Sequence, residues 1–484
     1  MNSYISNENI KDLLDRFILD SNNKKEFKLE EYNASDLIHK NRFDLGFKLF
    51  YLNYRLKCPK VAIEIYKDHI RAFSFGKFHE KENPSKKNIS DFINSFEEIY
   101  NNIKQNGFDE KKSLVPVSNN LILNGSHRLA VTIFLNKKIK GVKIKNQILD
   151  YDYKFFLKRN VKVNLIEKSL KIISLYCSDL RIAIIWPSYF NSKKNIKHYF
   201  NHIFYEKNVH LSDIGKHNFV TELYKNEKWL GSFDNDFVGA KNKMYECFKS
   251  KKPLKIIVFK KEKKLNVDSL KSSIRDEIGI GKHSIHISDD NNFLNILEII
   301  FNENSLSLLN SIKYSKLKKQ FNLTNIFRDI LSKNQINLDD VLITGSFPLS
   351  LFQIRKNNDL DIITLKNNSL DNNTNLDISN HNKYLDLYKI NKDELIYDET
   401  NYFYFNGFKV LNLKNIIKFK KNRAEKKDKI DLELITKFNK KRNLWINSKL
   451  FRIKFFYYYE FFRYRIILFL IKIKIYNLVK KILK

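Results

Sequence analysis

Asp359 and Asp361 stand one residue apart in the run Asp359-Leu360-Asp361-Ile362-Ile363, and twelve residues separate them from the pair Gly345-Ser346, which closes the apolar segment Leu342-Ile343-Thr344. Side chains alternate across a β-strand, so carboxylates at i and i+2 project to one face, where both can ligate a single divalent cation. A cation held beside a small-residue bend, whose amides can cradle phosphate oxygens, is equipment for moving nucleotidyl groups.

These residues resemble the nucleotidyltransferase superfamily related to DNA polymerase beta, whose signature is an apolar residue, Gly-Ser or Gly-Gly, a short spacer, and Asp-x-Asp or Asp-x-Glu between apolar residues. The resemblance implies that Gly345 and Ser346 hold the terminal phosphates of a nucleoside triphosphate and that Asp359 and Asp361 bind magnesium. It also implies a third acid on a following strand. Asp386, inside Tyr384-Leu385-Asp386-Leu387-Tyr388, is expected to fill that catalytic place, because an acid within a strand needs a ligand or partner; Asp377 is the alternative. Beyond a turn at Gly407, one helix is expected to carry Lys420, Arg423, Lys427 and Asp431 near one face. Small members of the superfamily have a comparable basic helix followed by Lys-Asp and a second Asp, here Lys427, Asp428 and Asp431. Lys420 and Arg423 are accordingly expected at the nucleotide phosphates, although a solvated helix with i,i+4 ion pairs accounts for the same residues. The nucleotidyltransferase-like domain, a mixed sheet with helices, is expected over residues 312–440.

A second constellation lies upstream. Strand-like runs at 114–117 and 121–123 lead into Asn124-Gly125-Ser126-His127-Arg128 and then an apolar helical stretch at 129–135. Such a junction offers backbone amides at a helix start, and Arg128 in the first turn adds a bidentate phosphate fork. The junction resembles the ParB and sulfiredoxin superfamily, whose Asp/Asn-Gly-x-His-Arg motif binds nucleotide phosphates, and it implies a phosphate-binding domain over residues 60–150. Within it, Glu80 and Lys86 are candidates for a second site, as base or metal ligand and as phosphate partner; an ordinary exposed loop is the other reading of both.

The elements that must position these residues fit a multidomain chain of α/β and α+β class. Residues 1–59 are expected to be a helical N-terminal segment, and 165–310 an α/β domain containing the runs at 182–186 and 254–259. Lys271, Arg275, Lys282, His283 and His286 gather cationic groups over sixteen positions, enough for a phosphate or sugar-phosphate pocket or for a basic solvated surface. A strand there would set His283 and His286 on opposite faces. The aromatic-tipped loop Lys225–Gly231 carries no assigned role.

Among 484 residues, 88 Lys and Arg against 54 Asp and Glu give a net charge of +34, which invites an anionic membrane or nucleic acid. Lys, Asn and Ile abound throughout, so part of the charge is compositional. Cys58, Cys177 and Cys247 are scattered without CxxC spacing, and no signal-peptide pattern opens the chain, so a cytoplasmic setting is expected. Residues 441–484 form a basic, aromatic, helical tail. From Lys440 onward thirteen Lys or Arg face the single acid Glu460, and no uncharged window is long enough to span a bilayer. Such a tail can lie in a headgroup layer, each cation near an anionic leaflet contributing about 1 kcal/mol. It can also pack as a terminal helix or bind nucleic acid.

Two functions are therefore expected to compete. One is a magnesium-dependent, ATP-type nucleotide-using transferase, a nucleotidyltransferase peripheral to the inner face of the plasma membrane, in surface polysaccharide biosynthesis or modification. The other is a nucleotide-controlled nucleic-acid binder of ParB-like type with an inactive, or an RNA- or protein-modifying, transferase domain. Against the second, no helix-turn-helix follows the upstream motif.

Overall fold

The computed structural model describes residues 3–11, 13, 14, 18, 26–79, 86–145, 147–192, 194–289, 293–357, 359–365, 376–473 and 475, with side chains for all of these except 3, 7, 8, 441–461 and 464. The chain is a mixed α/β protein of two compact units, 1–180 with 202–205 and 451–484, and 181–201 with 206–450.

The first unit is built on β1 (Ser3–Ser6), β2 (Glu26–Asn33), β3 (Val115–Ser118), β4 (Leu121–Ile122) and β5 (Lys138–Lys143), in the order β1-β2-β5-β3-β4. β3 runs parallel to β5, and the other neighbours are antiparallel. A Cβ at Gly141 would stand 2.8 Å from the Val115 carbonyl, so only glycine lets β5 and β3 close at that register. Residues 1–59 are thus not a separate helical segment. β1 and β2 belong to this sheet, and Phe27 enters a core with Leu114, Leu121 and Val142. The two-residue alternation Phe27-Lys28-Leu29 is a strand period that the surrounding charge obscures. The helix Asp44–Tyr54 is buried at every residue from Asp44 to Leu52. It packs on the helices Pro59–Ser74, Ser126–Phe134 and Val163–Tyr176, and a helix enclosed on all sides must bury its polar residues in pairs.

β6 (Leu180–Ile185), β7 (Ile203–Val209), β8 (Leu254–Lys260) and β9 (Ile285–Ile287) form a second sheet, ordered β7-β8-β6-β9. The third sheet, ordered β12-β11-β10-β14-β13, comprises β10 (Val341–Ile343), β11 (Leu360–Thr364), β12 (Ile378–Asn380), β13 (Tyr402–Phe405) and β14 (Phe408–Leu411). Mixed pairing fixes its centre: β10 is antiparallel to β11 and parallel to β14, while β12 lies parallel to β11.

No break in packing follows residue 311. Asn302 donates to the Glu399 and Tyr402 carbonyls, Asn304 donates to the Thr400 and Tyr402 carbonyls, and the Tyr404 N–H donates to Ser305 Oγ. The start of the helix Glu303–Leu309 is thereby stitched to the outer edge of β13. The last long helix runs unbroken over Lys426–Lys472. No helix among the described residues is long and apolar enough to cross a membrane.

Candidate active site

β10 delivers Thr344, Gly345 and Ser346 to its end, and the antiparallel β11 brings Asp359 and Asp361 back beside them. The register is closed by the Thr344 N–H, which donates to the Asp361 carbonyl at 2.8 Å. Gly345 holds a left-handed backbone at φ 63°, and a Cβ there would fall 1.7 Å from Asp361 Oδ2. The bend and the carboxylate therefore occupy one space that admits no side chain at position 345. Ser346 Oγ donates to Asp359 Oδ1 at 3.2 Å. Gly345 thus lies against Asp361, and Ser346 against Asp359, which directly precedes the strand.

Asp361, 8% exposed, has a partner the sequence did not announce: His381 Nε2 donates to its Oδ1 at 2.9 Å. His381 is the first residue past β12, whose parallel pairing with β11 sets Ser379 opposite Asp361. In the neutral ring Nδ1 then accepts, and Tyr388 Oη stands 3.4 Å from it and 2.9 Å from Thr344 Oγ1. Thr344, Tyr388, His381 and Asp361 thus form one buried row of hydrogen bonds. Phe419 supports it, stacking on Tyr388 at 4.6 Å and lying 5.7 Å from the His381 ring. Burial raises the Tyr388 phenol above its ordinary pKa, so it serves as a hydrogen-bonding group rather than an anion.

Three expectations need correction. Asp386 is not in a strand: Leu385–Tyr388 is a single helical turn that directs Tyr388 into the core and leaves Asp386 exposed. The alternation of apolar residues there serves one inward aromatic rather than a sheet face. Asp377 is exposed as well, and its carbonyl accepts from Leu360 N–H at 2.9 Å. Nor do Lys420, Arg423 and Asp431 share one helix. The helix Leu413–Arg423 ends on Ala424 at φ 56°, and the next begins at Lys426.

That break turns Asp428 and Asp431 back onto the preceding helix. Lys420, 3% exposed, binds Asp428 at 3.0 Å and Asp431 at 2.7 Å, and Arg423 forks onto Asp428 at 2.8 and 2.9 Å. Lys420 and Arg423, expected at phosphates, are committed to these carboxylates. Burial works to raise the Asp428 pKa, but the bonds from Arg423 and Lys420 outweigh it and bring the group down to about 2. Arg355 forks onto Asp431 at 2.7 and 3.2 Å, so the ion cluster also braces the loop that enters at Asp359. Lys427 is exposed and pairs with Glu425.

No family model matches this chain, and neither does any curated protein or solved structure. The site must therefore be judged by its own chemistry. Two carboxylates and a hydroxyl at a glycine cradle are hard oxygen donors of the kind magnesium accepts. Among the described residues no three His, Cys, Asp or Glu gather as a metal-holding group, so the remaining ligands would be substrate and water.

The upstream junction sits in the first unit. Gly125 at φ 82° opens the helix Ser126–Phe134, and no side chain caps it. A Cβ at Gly125 would meet Arg128 Nη2 at 3.0 Å, so the guanidinium folds over the helix start. Asn124 is exposed, its Oδ1 accepting from the Gly125 N–H at 2.6 Å, whereas Ser126 is buried. His127 Nε2 lies 2.8 Å from Tyr66 Oη. Behind it, Arg42 forks onto Asp44 at 2.7 and 2.9 Å, Lys48 donates to Asp44 at 2.7 Å, and Lys48 Nζ lies 3.0 Å from His69 Nε2. Because ammonium only donates, His69 Nε2 accepts, and its Nδ1–H donates to the Tyr66 carbonyl at 3.1 Å. Burial first, then the Lys48 charge, hold both His69 and His127 far below the ordinary imidazole pKa. Lys86 rests its ammonium 5.2 Å above the Phe92 ring. Glu80 lies outside the described residues. None of Arg42, Asp44, Lys48, Tyr66 or His69 was singled out from the sequence.

Proposed function

We propose that this chain is a magnesium-dependent transferase that uses a nucleoside triphosphate to move a nucleotidyl or phosphoryl-linked group. One observation carries the reading: Gly345 and the Asp361 carboxylate are so closely apposed that not even a methyl group fits between them, with Asp359 tied to the next residue, Ser346. Asp359 and Asp361 would hold magnesium, which when bound neutralises charge developing on the phosphate oxygens. Ser346 Oγ, already in that cradle, can turn to a phosphate oxygen. His381 orients Asp361 and fixes which of its lone pairs remain for a ligand. An acceptor oxygen attacking the α-phosphorus forms the new bond as the bond to pyrophosphate breaks; the electron pair leaves on pyrophosphate and the acceptor proton passes to water. The protein's share is positioning and electrostatics.

Purified protein with labelled triphosphates and magnesium should release pyrophosphate or transfer label. Asp359→Asn with Asp361→Asn should lower the rate about a hundredfold or more, and full turnover in that double variant would dismiss the site. We place the enzyme at an anionic inner membrane surface, in surface-polysaccharide assembly, through residues 441–484. Chain ending at Lys440 keeps Phe438 on Phe352 and should no longer sediment with phosphatidylserine vesicles; undiminished sedimentation would discard that placement.

The uncapped helix start at Ser126 with Arg128 over it favours a second reading, a nucleotide-controlled nucleic-acid binder. Affinity for short DNA should then fall by orders of magnitude as salt rises from about 50 to about 200 mM, and absence of affinity at the lower salt would eliminate it.

A further inference from the structure

The stretch between β7 and the helix Glu303–Leu309 holds a cavity of about 700 Å³, a size suited to a small molecule rather than a macromolecule. The helices Val238–Cys247 and Val267–Ile278, the turn Gly281–His283, β9 and the Trp229 loop build its wall. His283 and His286 therefore do not diverge onto opposite faces. His283 precedes the strand, in the turn, and both residues line the same space.

Charge is the first feature that points to a ligand. Lys243, Lys271, Arg275 and Lys282 converge there from three separate elements. Of the carboxylates on the same wall, Asp268 is held by Lys271 at 3.1 Å, Glu246 is held by Lys249 at 2.6 Å, and Glu227 is exposed, so the wall keeps an excess of cations. Burial, reinforced by Arg275 and Lys282, lowers the Lys243 ammonium below its ordinary pKa, which marks a cluster that an anion would relieve.

Unmet hydrogen bonding is the second. Arg275 Nε, His283 Nδ1 and His286 Nε2 are buried without a hydrogen-bond partner among the described residues, and all three residues belong to this wall. Buried polar atoms are paired as a rule. The other nitrogen of His286 lies 3.3 Å from Tyr224 Oη, and burial, then Lys271 and Arg275, bring that imidazole down to about 3. Beside these groups Trp229, 45% exposed, packs on Tyr224 at 5.1 Å and leaves an aromatic face open. Cations, unpaired nitrogens and an aromatic platform are the complement of a phosphoryl group carried on a ring.

We propose that this cavity binds a phosphorylated ring compound, a sugar phosphate or a nucleoside monophosphate, its phosphoryl oxygens on Lys271, Arg275 and Lys282 and its ring against Trp229. The site is independent of the role given to Asp359 and Asp361.

Calorimetric titration of the full chain without magnesium, using glucose 1-phosphate, uridine monophosphate, inorganic phosphate and glucose, tests it. Saturable binding of at least one ester is expected, weakened about tenfold in Lys271→Ala with Lys282→Ala and again in Trp229→Ala. Because Lys271 also braces Asp268, Lys282→Glu at an exposed position repeats the test where the fold is not at stake. Glucose 1-phosphate binding alone makes it a sugar-phosphate pocket, and uridine monophosphate binding alone a nucleotide pocket; either upholds the proposal. Failure of both esters to bind, affinity unchanged in these variants, or inorganic phosphate bound as tightly as the esters would overturn it.

Discussion

His381 and Asp361 stand 2.9 Å apart, imidazole Nε2 to carboxylate Oδ1, both nearly excluded from water and joined through Tyr388 to Thr344 at the bend. A carboxylate that must both ligate a cation and keep its rotamer gains from a fixed donor on one oxygen, since the other is then left for the ligand.

His381→Ala should accordingly slow transfer about tenfold and raise the magnesium concentration needed for half-maximal rate by a similar factor. His381→Asn, whose amide can still donate, should recover part of both. A residue that merely filled space would leave the magnesium dependence alone, and that result would remove His381 from the site.

Gly345→Ala should abolish transfer and destabilise the second unit by about 3 kcal/mol, from a left-handed backbone plus a methyl group driven into Asp361. Gly279→Ala is the control. Its φ is 77° and no atom lies within 4 Å of the added Cβ, so it should cost only about 1 kcal/mol. Equal losses in urea melts would mean that the bend and the carboxylate are not in contact.

Asp44 is enclosed with Arg42 and Lys48, and removing it strands two buried cations. Asp44→Ala should cost about 3–5 kcal/mol. Asp234→Ala, which loses an exposed partner of Lys318, should cost close to nothing. Denaturant midpoints of the two variants should differ several-fold in their displacement from the parent.

Acid should unfold the second unit partly through Asp428. Its carboxyl is lowered in the fold to about 2 from an ordinary 3.8, so the stabilisation it gives is complete above the ordinary value and disappears as pH falls through about 2. Asp428→Asn should be less stable at neutral pH, with a flatter decline in urea midpoint between about pH 4 and pH 2. An unaltered slope would assign the acid sensitivity to other carboxylates.

Local signals made part of this legible. The glycine at 345 reports on a conformation that neighbouring residues impose, and its left-handed bend appears where expected; the apolar run after Asp359 forms a strand, but one that begins at Leu360 and is buried at every residue, so Asp359 stands just ahead of it. His381 gave no such signal, because it reaches Asp361 only through the parallel pairing of β12 with β11, twenty positions along the chain. Asp386 misled because a single helical turn with one buried tyrosine shows the same apolar alternation as a short strand. Lys420 misled for another reason: helical spacing says which residues share a face, but the reversal at Ala424, a position without glycine, decides that the face meets Asp428 and Asp431 instead of a ligand. The N-terminal strands were hidden by charge density, since Phe27 and Leu29 sit among lysines and glutamates. His283 and His286 were expected apart because the turn that holds His283 lies just outside the strand.

β13 is the outermost strand of its sheet, and a bare outer strand is a template onto which another copy can add itself. With the Tyr402 carbonyl taken by Asn302 and Asn304, and the Tyr404 N–H given to Ser305, that template is already spent. A fragment started at residue 312, where the resemblance would set the domain boundary, would be shorn of those three polar side chains and would leave Tyr402, Phe403, Tyr404 and Phe405 along an unguarded margin. Such a piece is apt to polymerise, so the stretch from Asn302 onward has to be produced as a single article of manufacture.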